Sequence, residues 1–90
     1  MSEDPVVMPL GREFDLHTFR PNEIPEATRE YLLEARRLGY SQVRIIHGKG
    51  TGFQRDVVRK ILSETPFVTG FGDDINGNRG ATWADLEPLP

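Results

Sequence analysis

Two short segments hold most of the side chains able to do chemistry: Asp15-Leu16-His17 and His47-Gly48-Lys49-Gly50-Thr51-Gly52. A carboxylate two residues from an imidazole, on one face of a strand, can orient the ring and raise its basicity, which suits general acid–base catalysis. Glycines at 48, 50 and 52 permit positive φ and let an anion approach the backbone. If the loop opens a helix, it gains unpaired amides and the positive end of the helix dipole. Lys49 brings a mobile full charge, and Thr51 either caps the helix or donates to a ligand. The loop has neither the GxGxxG spacing of a dinucleotide fold nor the GKS or GKT ending of a P-loop, so it reads as a site for a polymer phosphate. Each residue also has a plainer reading. Glycines between strand and helix often serve only a tight turn. His47 could bond a carbonyl at a strand end, and Asp15 could cap a loop or pair with Arg20 or Arg44. Asp15, His17 and His47 could together hold a divalent metal ion, but their spacing does not reinforce that reading.

The elements that must position these residues follow from hydrophobic period. Glu13-Phe14-Asp15-Leu16-His17 alternates apolar and polar as a half-buried strand does, with Phe14 and Leu16 on the core face and Asp15 and His17 on the other. A helix follows Pro21-Asn22, with Asn22 as its cap and Pro25 tolerated in the first turn. Ile24, Ala27, Thr28, Tyr31, Leu32, Ala35 and Leu38 form its buried stripe, and Gly39 ends it. Residues 42–47 are β-branched and apolar enough for an inner strand. Residues 53–63 form a second helix with Phe53, Val57, Val58, Ile61 and Leu62 as its stripe, and Thr51 to Gln54 has capping-box spacing. Trp83 reads as core rather than as a base-stacking platform, and Phe53 reads the same way, although its place just after the loop leaves room for partial exposure. Residues 67–71 and Ala81–Leu86 read as the last two strands, joined through a tight turn at Asn76-Gly77. The result is an α/β domain in which parallel first and second strands bring His17 and His47 to one sheet edge, where open α/β sheets bind ligands. Period alone leaves the last strand either outside the third or between the second and third.

Ninety residues suit one small domain. Residues 1–12, interrupted by Pro5 and Pro9, read as a flexible arm, residues 13–86 as the domain, and 87–90 as a short tail. The absence of cysteine excludes a disulfide framework and a thiol-ligated zinc site. Glu3 and Asp4 stand where a signal peptide needs basic residues, and no apolar run approaches the roughly 18 residues of a membrane span, so a cytoplasmic location away from membranes is expected. A net charge of −3 argues against indiscriminate nucleic-acid binding. Yet residues 44–60 carry Arg44, Lys49, Arg55, Arg59 and Lys60 against Asp56 alone, which suits a local anion site.

The motifs resemble those of the Smr (small MutS-related) domain family. Phe14-Asp15-Leu16-His17 is similar to its LDLH motif, and Val43 to Gly52 resembles its HGKGTG segment. Gly80-Ala81-Thr82 and the strand after it resemble the C-terminal element, so the likeness spans residues 13–86. The resemblance implies a two-layer α+β sandwich like the C-terminal domain of translation initiation factor three, with sheet order 1-2-4-3. It also implies binding of nucleic acid, DNA or RNA, with nicking or cleavage of the backbone in several members, some on stalled ribosomes. Asp15 and His17 map onto the residues tied to activity, and the glycine loop, His47 included, onto those tied to substrate binding. One departure stands out: the family motif continues with glycine, whereas Thr18-Phe19 follows His17 here. The ATPase and clamp domains of MutS2-type proteins are missing, so a standalone Smr protein is expected.

These readings converge on an endonuclease acting at phosphodiesters, as a monomer and with no required cofactor, although a divalent ion would suit DNA hydrolysis. Asp15, His17 and His47 are the candidate catalytic residues, and Arg44, Gly48, Lys49, Gly50, Thr51, Gly52 and Arg55 the nucleic-acid contacts. The alternatives are a non-catalytic module that docks on nucleic acid or a ribosome through the same loop, and an interaction domain using the acidic helix of Glu26, Glu30 and Glu34.

Overall fold

The computed structural model describes residues 12–48, 50, 52–74 and 80–90. The N-terminal arm up to residue 11, Lys49, Thr51 and the Asn76-Gly77 turn lie outside the described residues. The elements are β1 (Glu13–Asp15), α1 (Ile24–Arg37), β2 (Gln42–Ile46), α2 (Phe53–Glu64), β3 (Val68–Asp73) and β4 (Ala81–Leu86), with two short 3-10 turns, Leu16–Thr18 and Pro21–Glu23, between β1 and α1. None of the described helices is long and apolar enough to cross a membrane.

The four strands form one sheet in the order β1-β2-β4-β3, with β1 parallel to β2 and the other pairs antiparallel. This places β4 between β2 and β3. The composition of the strands explains the choice. In β4, Thr82, Ala84 and Leu86 are all buried, as suits an inner strand. Gly70, Gly72 and a register shift between Val68 and Gly70 weaken β3 as a pairing surface and suit it to the edge.

Both helices pack on one face of the sheet and against each other. Tyr31, Leu32 and Ala35 of α1 and Val58, Ile61 and Leu62 of α2 meet Val43 and Ile45 of β2, forming one core. Leu32, Ile45 and Val58 are completely buried, so truncating Leu32 or Ile45 to alanine costs about 2–5 kcal/mol each. The opposite face is open and carries the row Glu13, Arg44, Trp83, Gly72 across the four strands.

Two details differ from the sequence expectation. The chain leaves β1 at Asp15 and winds into a 3-10 turn, so His17 does not continue the strand. Asn22 enters the second 3-10 turn, and α1 begins at Ile24 without a side-chain cap. The N-cap of α2 is Gly52, and the capping box expected from Thr51 to Gln54 lies outside the described residues. Pro25 and Gly39 sit where expected, at the first turn and just beyond the last turn of α1.

Candidate nucleic-acid interface

The site is built where β1 and β2 end side by side. Asp15 pairs with Ile46 in the parallel register, so the residues that follow each strand emerge on the same sheet edge. Asp15 then stops its own strand: its Oδ1 accepts the His17 backbone N–H at 2.8 Å and caps the 3-10 turn. This local bond competes with the ladder and wins, as short acidic side chains commonly do. The carboxylate therefore orients the His17 backbone rather than its ring. Phe19 N–H closes the turn onto the Leu16 carbonyl at 3.0 Å. Such a right-handed turn is open to any L residue, so Thr18 fits where the family pattern has glycine. Phe19 is used as well, its ring 5.6 Å from that of Phe14.

On the neighbouring strand, His47 is 6% exposed and both its ring nitrogens are engaged. Nδ1 lies 3.0 Å from the Gly48 carbonyl and Nε2 lies 2.9 Å from Thr82 Oγ1. A carbonyl only accepts, so Nδ1 carries the proton and, in the neutral ring, Nε2 accepts from the threonine hydroxyl. Burial lowers the His47 pKa below 6.5; Arg55 and Arg59 push the same way, against the Gly48 carbonyl and Asp73. The ring is thus a neutral latch between the loop and β4. The backbone reinforces it, because the amides of His47 and Gly48 both donate to the Gly80 carbonyl, at 2.7 and 2.9 Å.

Beyond this latch the loop turns through Gly48 at φ 86° and enters α2 through Gly52 at φ 89°. A Cβ at either position would meet nothing within 4 Å, so the demand for glycine is conformational and leaves the approach open. The first intrahelical bond of α2 runs from the Asp56 N–H to the Gly52 carbonyl at 2.9 Å, so the helix start lies directly beside the loop.

Two adjoining clefts share His47, Gly48 and Gln54. One of about 280 Å³ is lined by Asp15, Leu16, His17, Ile46, His47, Gly48 and Gln54, and so joins the two sequence motifs. The other, about 320 Å³, runs along Gly50, Gly52, Phe53 and Arg55. Arg55 and Arg59 both reach Asp73 Oδ1, at 3.3 and 2.5 Å, which holds two cations beside the loop. Arg44, expected among the nucleic-acid contacts, lines neither cleft. It sits on the open sheet face between Glu13 and Asp74, at 2.6 and 2.8 Å, because β2 alternation turns it away from the helices. Gln54, Thr82, Asp73 and Gly80 were not singled out for these roles in the sequence. Thr82 carries the one usable signal, a polar residue on the buried parity of β4. Among the described residues no three His, Cys, Asp or Glu side chains gather as metal ligands. Both nitrogens of His47 are engaged, which leaves Asp15 and His17 as the remaining donors of the three at this edge.

Comparison with known proteins agrees with this architecture. The sequence profile of the Smr domain matches residues 14–87. The crystal structure of the Smr domain of Thermus thermophilus MutS2 superposes with a TM-score of 0.78 at 37% identity, covering 84% of this chain and 98% of that one. YdaL, a stand-alone small MutS-related protein from Escherichia coli, shares the fold, with a TM-score of 0.71 at 24% identity over 84% of this chain and 64% of that one. Endonuclease MutS2 of Gemmatimonas aurantiaca is 38% identical over 88 residues, which is 96% of this chain and 11% of that protein. Endonuclease MutS2 of Listeria welshimeri is 40% identical over 81 residues, 88% of this chain and 10% of that protein. The chain spans about a tenth of the length of these curated relatives. In sequence profile, strand order and overall superposition alike, the chain belongs to the Smr domain family.

Proposed function

We propose that this Smr domain binds nucleic acid through its glycine loop and cuts the phosphodiester backbone in the cleft beside it. The cleft that joins Asp15 and His17 to His47, Gly48 and Gln54 supports the reading, because it gathers the exposed His17 and the first turn of α2 around one opening. The exposed His17 acts as general acid or base. Asp15 fixes its position through the backbone bond, and His47 holds the loop in shape as a positioning residue. First-turn amides of α2 and Arg55 offset the charge of the phosphorane, the electrostatic part of the catalysis. Lys49 and Thr51, outside the described residues, join this role on sequence grounds alone. On RNA the 2′-oxygen attacks phosphorus as His17 takes its proton. The bond to the 5′-oxygen breaks and that oxygen takes a proton from solvent water, the proton held by His17 returning to solvent, which leaves a 2′,3′-cyclic phosphate and a 5′-hydroxyl.

End-labelled RNA and DNA, incubated with the protein with and without chelator, test the proposal. Expected is cleavage whose products carry those RNA ends, or nicked DNA, together with binding that Lys49→Ala weakens. Binding without scission at any protein concentration would reduce the site to a docking module. Absence of binding to either polymer would overturn the proposal.

A further inference from the structure

The two clefts at the sheet edge have His47, Gly48 and Gln54 in common. The His47 ring is committed at both nitrogens, to the Gly48 carbonyl and to Thr82, and Gly48 has no side chain. Among the described residues Gln54 is therefore the shared one whose side chain still has polar groups available. It stands in the first turn of α2 and is partly buried, yet its amide makes no hydrogen bond among the described residues. Two donors and one acceptor are thus held at the wall between the clefts without a partner in the fold.

We infer that Gln54 reads the ribose 2′-hydroxyl of a strand that crosses from the loop cleft to the His17 cleft, so that the domain prefers RNA to DNA of the same sequence. This rests on the phosphate-binding reading and adds a sugar-specificity contact to it. A strand with a phosphate along Gly50, Gly52 and Arg55 and the neighbouring sugar at His17 passes Gln54, because that residue walls both clefts. The chemistry of the side chain selects the group it meets. Phosphate and sugar-ring oxygens only accept hydrogen bonds, and a guanidinium such as that of Arg55 suits them better than a neutral amide. A carboxamide presents an acceptor beside its donors, which matches a partner that donates and accepts in turn. Along the sugar–phosphate backbone that partner is the 2′-hydroxyl, which DNA lacks. Base edges also donate and accept, but their pattern changes with the nucleotide and would survive removal of the hydroxyl.

Binding is measured for proteins carrying Gln54, Gln54→Leu or Gln54→Glu, each in the His17→Gln background so that RNA stays whole. The labelled ligands are single strands of one mixed sequence made as RNA, as DNA and as 2′-fluoro RNA, which keeps the ribose pucker but has no hydroxyl to donate. Gln54 lies outside the buried core, so urea midpoints of both variants should match the parent and report intact folding. Gln54→Leu should weaken RNA binding about 2- to 10-fold, the range of one hydrogen bond, and leave DNA and the 2′-fluoro strand unchanged. Gln54→Glu should weaken all the strands, since a carboxylate then faces backbone phosphates. A Gln54→Leu loss as large on DNA or the 2′-fluoro strand as on RNA would overturn the hydroxyl contact while leaving the phosphate site intact. So would RNA affinity unchanged by Gln54→Leu, or strand affinity unchanged by Gln54→Glu. A parent protein that binds none of the strands would overturn both readings together.

Discussion

Replacing Thr82 with valine removes one hydroxyl at nearly constant volume and strikes the contact that fixes His47. Thr82 is 0% exposed and His47 6%, and the Thr82 Oγ1 to His47 Nε2 distance is 2.9 Å. The other ring nitrogen is already committed to the Gly48 carbonyl at 3.0 Å, so the ring cannot turn to find a new partner without breaking that bond. Valine therefore strands a buried acceptor, a loss of about 1–3 kcal/mol, out of roughly 5–15 kcal/mol for a typical domain. The sign is diagnostic. At a buried strand position with no polar partner, valine equals or exceeds threonine in stability. Urea unfolding followed through Trp83, the only tryptophan in the chain, reads the difference. With a slope of about 1–3 kcal/mol per molar, the midpoint should fall by about 0.5–2 M. Thr82→Ser keeps the hydroxyl and should lose little more than one methyl group, about 0.8 kcal/mol. A Thr82→Val protein as stable as wild type would refute the latch, as would Thr82→Ser proving the weaker of the two.

The same latch makes folding sensitive to acid. Because His47 has a folded pKa below 6.5, its stabilising contribution is fully present above that pH. As pH falls further the unfolded chain takes up a proton first, and stability drops by at most about 1.4 kcal/mol per unit until the folded pKa is reached. Urea midpoints between pH 7 and 5 should show this slope in wild type and lose it in His47→Gln. Gly52→Ala forces a side chain into φ 89° without a clash, so it should cost about 1–2 kcal/mol; an unchanged melting temperature would speak against that conformation. Asp73→Asn frees Arg55 and Arg59 from their shared carboxylate, which is half exposed. Stability should change by less than about 1 kcal/mol, while nucleic-acid affinity rises and its salt dependence steepens by roughly one phosphate contact. Weaker binding would show that Asp73 serves the ligand rather than restraining the arginines.

Much of this arrangement was legible in the sequence because period and punctuation agreed. Gly39 stops α1, β-branched residues make β2, and Ala81–Leu86 forms β4 as read. The placement of β4 between β2 and β3 was left open by period and followed only from the family likeness, since local pattern does not encode which strands pair. The end of β1 misled because Glu13 to His17 alternates like a strand. Only the bond from His17 N–H to the Asp15 carboxylate diverts the chain, and alternation is blind to such a bond. Phe53 has helical spacing with Val57, yet it lies at the start of α2 where the sheet no longer covers it. The commitments of His47 to Thr82 and of Gly48 to Gly80 span more than thirty residues, beyond the reach of any local motif.

His17 is the proton-transfer group of the proposed cleavage, and one comparison tests that role most directly. Single-turnover cleavage of a saturating labelled strand is measured for wild type and His17→Gln, with binding affinity determined alongside. Removal of a general acid or base lowers the rate about 10²- to 10⁴-fold, and affinity should stay close to wild type because the loop is untouched. Cleavage by His17→Gln at the wild-type rate would contradict the assignment.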